Sequence, residues 1–154
     1  MLTLTDRQAF AVIGLVAFAT IAGAWIFQSI GYEPCELCFK QRWAYYAAIP
    51  LAGFFYGAVA GGRSVARAGL YVLAAIWLAS MIFGIYHSGI EWQWWAGPTS
   101  CTGGGDLTTG LPDLSKPAVM CDKPALRILW LSLAGWNAVI SCGLMLLALR
   151  QARR

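Results

Sequence analysis

The segment Cys35-Glu36-Leu37-Cys38 carries the residues of this chain best suited to chemistry. Two cysteines separated by two residues can close a disulfide and reopen it, so the segment can alternate between dithiol and disulfide. Pro34 stands just ahead, a residue suited to a first helical turn, and this places Cys38 near a helix N-terminus. Unpaired backbone N–H groups there favour an anion, and Arg42, four residues on, falls on the same helical face as Cys38. Both effects lower a thiol's pKa, so Cys38 is expected to carry a stabilised thiolate. Glu36, between the two cysteines, opposes that shift with its negative charge.

Cys101 and Cys121 stand further along, with nineteen residues between them. A zinc knuckle usually needs a second close pair, and no histidine is near any of these cysteines in sequence, so no metal is expected. A fixed disulfide closing a loop of that size would stabilise by roughly 3 kcal/mol. For Cys101 and Cys121 the spacing alone does not choose between a staple and a working pair. The fifth cysteine, Cys142, lies in an apolar stretch and reads as a small buried hydrophobe.

The elements that must position these residues follow from composition. The 154 residues are 59% hydrophobic and only 12% charged, about half the charge of an ordinary soluble domain. Four stretches, 10–30, 43–60, 68–86 and 128–149, contain no charged residue. At about 1.5 Å per residue each reaches roughly 27 to 33 Å, the thickness of a bilayer's hydrocarbon core. The expected fold is therefore all-α: a polytopic bundle of four transmembrane helices forming a single membrane domain over 1–154. The first stretch is too long for the core of a cleaved signal peptide, and Gly31-Tyr32-Glu33-Pro34 offers no small-residue cleavage site, so it is expected to stay in the membrane.

Four spans put both termini on one side with the loop 61–67 and leave 31–42 and 87–127 on the other. Lys and Arg divide six to five between the sides, so cysteine placement decides the orientation. Paired cysteines persist outside the cytosol, which puts the two cysteine loops in a bacterial periplasm or an equivalent oxidising space and both termini in the cytoplasm. The net charge of +4 comes mainly from arginines in tails and short loops and needs no nucleic acid to explain it. Arg63 and Arg67 are expected to set topology and meet anionic membrane lipid. The second loop, with Gly103-Gly104-Gly105, Pro98, Pro112 and Pro117, is expected to be mobile and irregular.

A soluble thioredoxin-like framework has no room in this chain, so the Cys-x-x-Cys motif must work at a membrane face. There a lipid-soluble acceptor such as a quinone can reach the Cys38 thiolate. His87 closes the third stretch on the same side and is placed either at a quinone oxygen or simply at the interface, with Glu91 able to orient it if the helix continues that far. Gln41 is a further candidate for quinone binding, and Asn137 either bonds across helices or is tolerated mid-span. Trp43, Tyr45, Tyr46, Tyr86, Trp92, Trp94 and Trp95 cluster at this interface, where most such rings anchor helices and one or two are expected to line a quinone pocket.

These residues together resemble the bacterial disulfide bond formation protein B (DsbB) family. The resemblance rests on four spans, Pro34-Cys35-x-Leu37-Cys38 followed by Gln41-Arg42, a later pair of cysteines in a long loop, and Leu131-Ser132-Leu133-Ala134-Gly135-Trp136. His87-Ser88-Gly89-Ile90-Glu91-Trp92 with Trp94 and Trp95 resembles the alphaproteobacterial branch. The resemblance implies a quinone-dependent thiol oxidase of the bacterial inner membrane that reoxidises a periplasmic, thioredoxin-like (DsbA-like) dithiol oxidase. It implies that Cys101 is attacked by the partner's thiol, that Cys121 is its companion in the resting pair, and that Cys35 exchanges with these loop cysteines. It also implies that Cys38 contacts the quinone, ubiquinone or menaquinone, with Arg42 stabilising charge. The segment between Cys101 and Cys121 is shorter than in the best-known members, so Pro112 to Pro117 is expected to supply one turn in place of a helix. The competing reading is a non-catalytic membrane protein whose cysteine pairs are structural disulfides bracing its loops.

Overall fold

The computed structural model describes residues 4–98, 101 and 120–154, and three of its four long helices open on a side-chain cap. Gly103-Gly104-Gly105 and the turn expected between Pro112 and Pro117 lie outside the described residues. Helix α1 (Asp6–Ser29) opens on a capping box in which Thr5 accepts the Gln8 N–H and Gln8 accepts the Thr5 N–H. It ends at Gly31, whose φ of 105° only glycine adopts without penalty, while Tyr32 N–H reaches back to the Phe27 carbonyl. Helix α2 (Glu36–Ala58) runs into a short 3₁₀ turn, Val59–Gly61, and α3 (Arg63–Glu91) and α4 (Leu133–Ala152) complete the bundle. All four are long and apolar enough to cross a membrane.

The ends of these helices differ from the uncharged stretches. Helix α2 begins at Glu36 rather than at 43, because charged residues fill its first turns at the level of the headgroups, where charge costs little. Helix α3 continues past 86 to Glu91. Helix α4 begins at Leu133 rather than at 128: strands β1 (Arg127–Ile128) and β2 (Leu131–Ser132) pair antiparallel across a two-residue turn at Leu129 and Trp130, both with positive φ. Ser132 then caps α4 by accepting the Gly135 N–H at 3.1 Å.

Inside the bundle Trp77, Phe10, Ile13, Leu70 and Leu73 are fully buried, while Leu15, Phe54, Ile82 and Leu146 face outward, as lipid contact requires. Helices α3 and α4 pack backbone to backbone at Gly84, where an added Cβ would stand 2.9 Å from the Ala138 nitrogen. A polar knot ties α2, α3 and α4 together: Tyr45 donates to Asn137 Oδ1 at 2.6 Å, Ser80 donates to the same oxygen, and Ser141 donates to Ser80 at 2.9 Å. Asn137 thus bonds across helices. At the end away from the cysteines Arg63, expected to meet lipid, pairs instead with Asp6 and donates to the Gln151 carbonyl, and Gln151 Nε2 donates to Asp6 at 2.7 Å.

Candidate active site

Cys35 is the N-cap of α2, and its sulfur accepts the Cys38 backbone N–H at 3.3 Å. One helical turn sets the Cys38 sulfur 2.7 Å from that of Cys35, close enough for a small rotation to close a disulfide. Because α3 runs on to Glu91, it brings His87 over the pair, fully buried, with Nε2 3.5 Å from Cys35 Sγ. Gln41 holds the other ring nitrogen at 3.2 Å, and Glu91 Oε1 stands 3.9 Å from Nε2. Ser132, at the base of the hairpin, lies beside the Glu91 carboxylate.

The contacts that favour a thiolate therefore gather on Cys35. The hydrogen bond from the Cys38 thiol lowers its pKa to about 5, outweighing burial, with His87 and the Cys38 N–H adding to the effect. This corrects the expectation that helix terminus and Arg42 act together on Cys38. The cap position belongs to Cys35, and the Arg42 guanidinium is occupied elsewhere, donating to Gln28 Oε1 at 2.7 Å and lying over the Phe39 ring. Glu36 pairs with Lys40 at 2.6 Å on the exposed side of α2, which offsets the negative charge expected to oppose a thiolate.

Cys101 and Cys121 form a disulfide, both buried, and pack in one cluster with Cys35, Leu37 and Ile90. Four of the five cysteines thus meet at one end of the bundle, while Cys142 is free in α4. On the other side of Cys38 a cavity of about 310 Å³ opens between α1, α2 and α4. Cys38, Gln41, Arg42 and Tyr45 give it one polar wall, and residues such as Phe27, Ile21 and Ile140 make the remainder apolar. His87, placed by the sequence either at a quinone oxygen or simply at the interface, does not line this cavity; α3 holds it against Cys35.

A protein-family profile described as disulfide bond formation protein DsbB matches residues 6–151. The chain belongs to the disulfide bond formation protein B family. Among its relatives, disulfide bond formation protein B of Albidiferax ferrireducens is 29% identical, covering 94% of this chain and 86% of its own. Disulfide bond formation protein B 1 of Pseudomonas putida is 31% identical, covering 87% of this chain and 82% of its own, and the Pseudomonas syringae pv. tomato protein is 30% identical over 85% and 80%. No solved structure matches the chain. As a DsbB-family member it is a multi-pass membrane protein-disulfide oxidoreductase.

Sequence reasoning passed over Gln28, Tyr45 and Ser132 as site residues. Gln28 had a signal, being the one amide near the end of an otherwise apolar run. Tyr45, three residues after Arg42, shares its helical face but is not singled out by sequence from an aromatic cluster of which one or two are expected to line a pocket. Ser132 sits in a stretch that read as helix, and only the hairpin turns it toward Glu91.

Proposed function

We propose that the protein is a quinone-dependent thiol oxidase that takes electrons from a periplasmic, thioredoxin-like (DsbA-like) dithiol oxidase and passes them to membrane quinone. One observation carries this reading: Cys38 lines a largely apolar cavity between the helices while its partner Cys35 packs against the Cys101–Cys121 disulfide. The cysteine pair thus bridges a thiol-exchange side and a lipid side. The cysteine end of the bundle is assigned to the periplasm, both termini to the cytoplasm, and the whole to the bacterial inner membrane, since persistent disulfides need an oxidising compartment.

The relay conserves electrons at every exchange. The partner's thiolate attacks Cys101 Sγ, breaking the Cys101–Cys121 bond and freeing Cys121 as a thiolate. Cys121 attacks Cys35 in the Cys35–Cys38 disulfide, and Cys38 leaves as a thiolate facing the cavity. The partner's second thiol displaces Cys101, which attacks Cys121 and restores the loop disulfide, releasing Cys35. His87 then faces the freed Cys35 sulfur and stabilises its thiolate. The cavity's apolar volume with a polar wall fits a quinone, ubiquinone or menaquinone, and Cys38, Gln41 and Arg42 would hold its head group. When bound, quinone supplies an acceptor for two electrons and two protons. Arg42, fixed by Gln28, sets a permanent positive charge beside that position.

The test is quinone reduction by purified protein supplied with a reduced dithiol partner. Wild type is expected to turn over, Cys38→Ser to be inactive, and Arg42→Ala to be about 10- to 100-fold slower, as for loss of an electrostatic stabiliser worth about 1.4–2.7 kcal/mol. Unchanged turnover in Cys38→Ser would refute the mechanism. If removing Cys101 and Cys121 together lowered thermal stability but left turnover intact, the loop disulfide would be a brace only.

A further inference from the structure

The sulfurs of Cys35 and Cys38 and a ring nitrogen of His87 lie within 4.8 Å of one another. Thiolate and imidazole are the donors zinc favours, at about 2.3 Å and about 2.0–2.1 Å. In a tetrahedral site those bond lengths set a sulfur–nitrogen edge of about 3.6 Å. Cys35 Sγ stands 3.5 Å from His87 Nε2, so this edge is already formed. The corresponding sulfur–sulfur edge is about 3.8 Å. Cys38 is the more accessible thiol and lines the cavity, so it can swing outward from its 2.7 Å separation.

Two further features point to a cation. Glu91 is nine-tenths buried, its Oε2 has no hydrogen-bond partner, and its Oε1 faces the same His87 nitrogen that faces Cys35. An unpaired buried carboxylate oxygen is costly, and a positive ion beside it removes the cost. Gln41 meets His87 Nδ1 at 3.2 Å through its amide nitrogen, and turned end for end the same amide would accept the Nδ1 proton, the outer hydrogen bond that frees Nε2 for a metal.

We propose that the reduced protein binds one thiophilic divalent cation, zinc fitting the donor set best, through Cys35, Cys38 and His87, with Glu91 at the fourth position. Each thiol that still holds a proton releases it on binding, and the ion's two positive charges offset the two thiolates. No sulfur changes oxidation state. A disulfide offers no thiolate, so the site exists only while Cys35 and Cys38 are reduced, and a metal-held pair is closed to disulfide exchange. Binding needs the dithiol but no electron acceptor, so the inference stands or falls separately from the quinone reading.

The test uses full-length protein in detergent, reduced with a non-chelating phosphine and titrated with zinc against a chromophoric chelator, and in parallel with cobalt. The expected result is one metal per reduced chain, none per oxidised chain, and a cobalt spectrum with thiolate charge-transfer bands and tetrahedral d–d bands. Gln41→Ala should weaken affinity about 10- to 100-fold, and His87→Ala by more. Cys142→Ser and the Cys101→Ser/Cys121→Ser double variant should each retain one metal. Should His87→Ala fold poorly, Gln41→Ala and the oxidised-against-reduced comparison decide the matter. The inference is overturned if the reduced protein takes up no metal, if uptake survives oxidation, if the double variant loses it, or if His87→Ala binds with unchanged affinity and spectrum.

Discussion

Three contacts meet at the Cys35 sulfur, namely the Cys38 thiol at 2.7 Å, the Cys38 N–H at 3.3 Å and His87 Nε2 at 3.5 Å. With its pKa held down to about 5, Cys35 is a thiolate throughout the neutral range and gains a proton only as the pH falls through that value. The alkylation rate of Cys35 in reduced protein, followed by mass spectrometry, should therefore be flat from about pH 6 to 8, where an ordinary thiol rises about tenfold per unit. His87→Ala should move the falling limb to higher pH, and a tenfold rise per unit in the wild type would refute the assignment. The same shift carries a stability term. It is present in full above the ordinary thiol value and is lost as pH falls towards about 5. Residue types and spacing made Cys35, Cys38, Gln41 and Arg42 legible, because i, i+3 and i+4 relations on one helix are local. Which of the two thiols is stabilised was not legible. That depends on His87, which arrives from another helix, and on Gln28, which draws Arg42 aside.

Helix α3 carries the site by its length and by where it stops. Its end is a left-handed turn at Gln93, φ 58°, with Trp94 N–H bonded to the Gly89 carbonyl at 2.8 Å. This keeps His87 and Glu91, one turn apart, on regular helix beside the cysteines. Its register against α4 is set at Gly84, so Gly84→Ala should cost about 1–3 kcal/mol through overpacking, read as a lowered midpoint of thermal unfolding in detergent. An unchanged midpoint would mean that the helices can separate there freely. The four helices were legible because hydrocarbon tolerates only long uncharged runs. Their ends were not, since the headgroup region accepts charged helix at Glu36 and Lys40. The hairpin 127–132 was hidden for the opposite reason: Ile128-Leu129-Trp130-Leu131 is as apolar as the helix that follows, and only its positive-φ turn separates the two.

Across the whole molecule, a second set of polar ties between helices lies at the end opposite the cysteines. Asp6, Arg63 and Gln151 join the N-terminus of α1, the start of α3 and the end of α4 far from the cysteines. Arg63→Ala should lower unfolding stability by about 1–2 kcal/mol while leaving kcat for thiol oxidation unchanged. A fall in kcat at constant folded fraction would show that the two ends communicate. The Cys101–Cys121 disulfide, only 2% and 1% exposed, has a consequence for the cell. An electron inlet open to water would drain every thiol that drifted past into the respiratory pool, whatever the state of the proteins meant to use it. On the proposed relay, the burial of this disulfide insulates the protein against such leakage. A small dithiol such as dithiothreitol should be oxidised far more slowly than the protein partner at equal concentration, because only a docked protein stays long enough to meet the contact when it is bared.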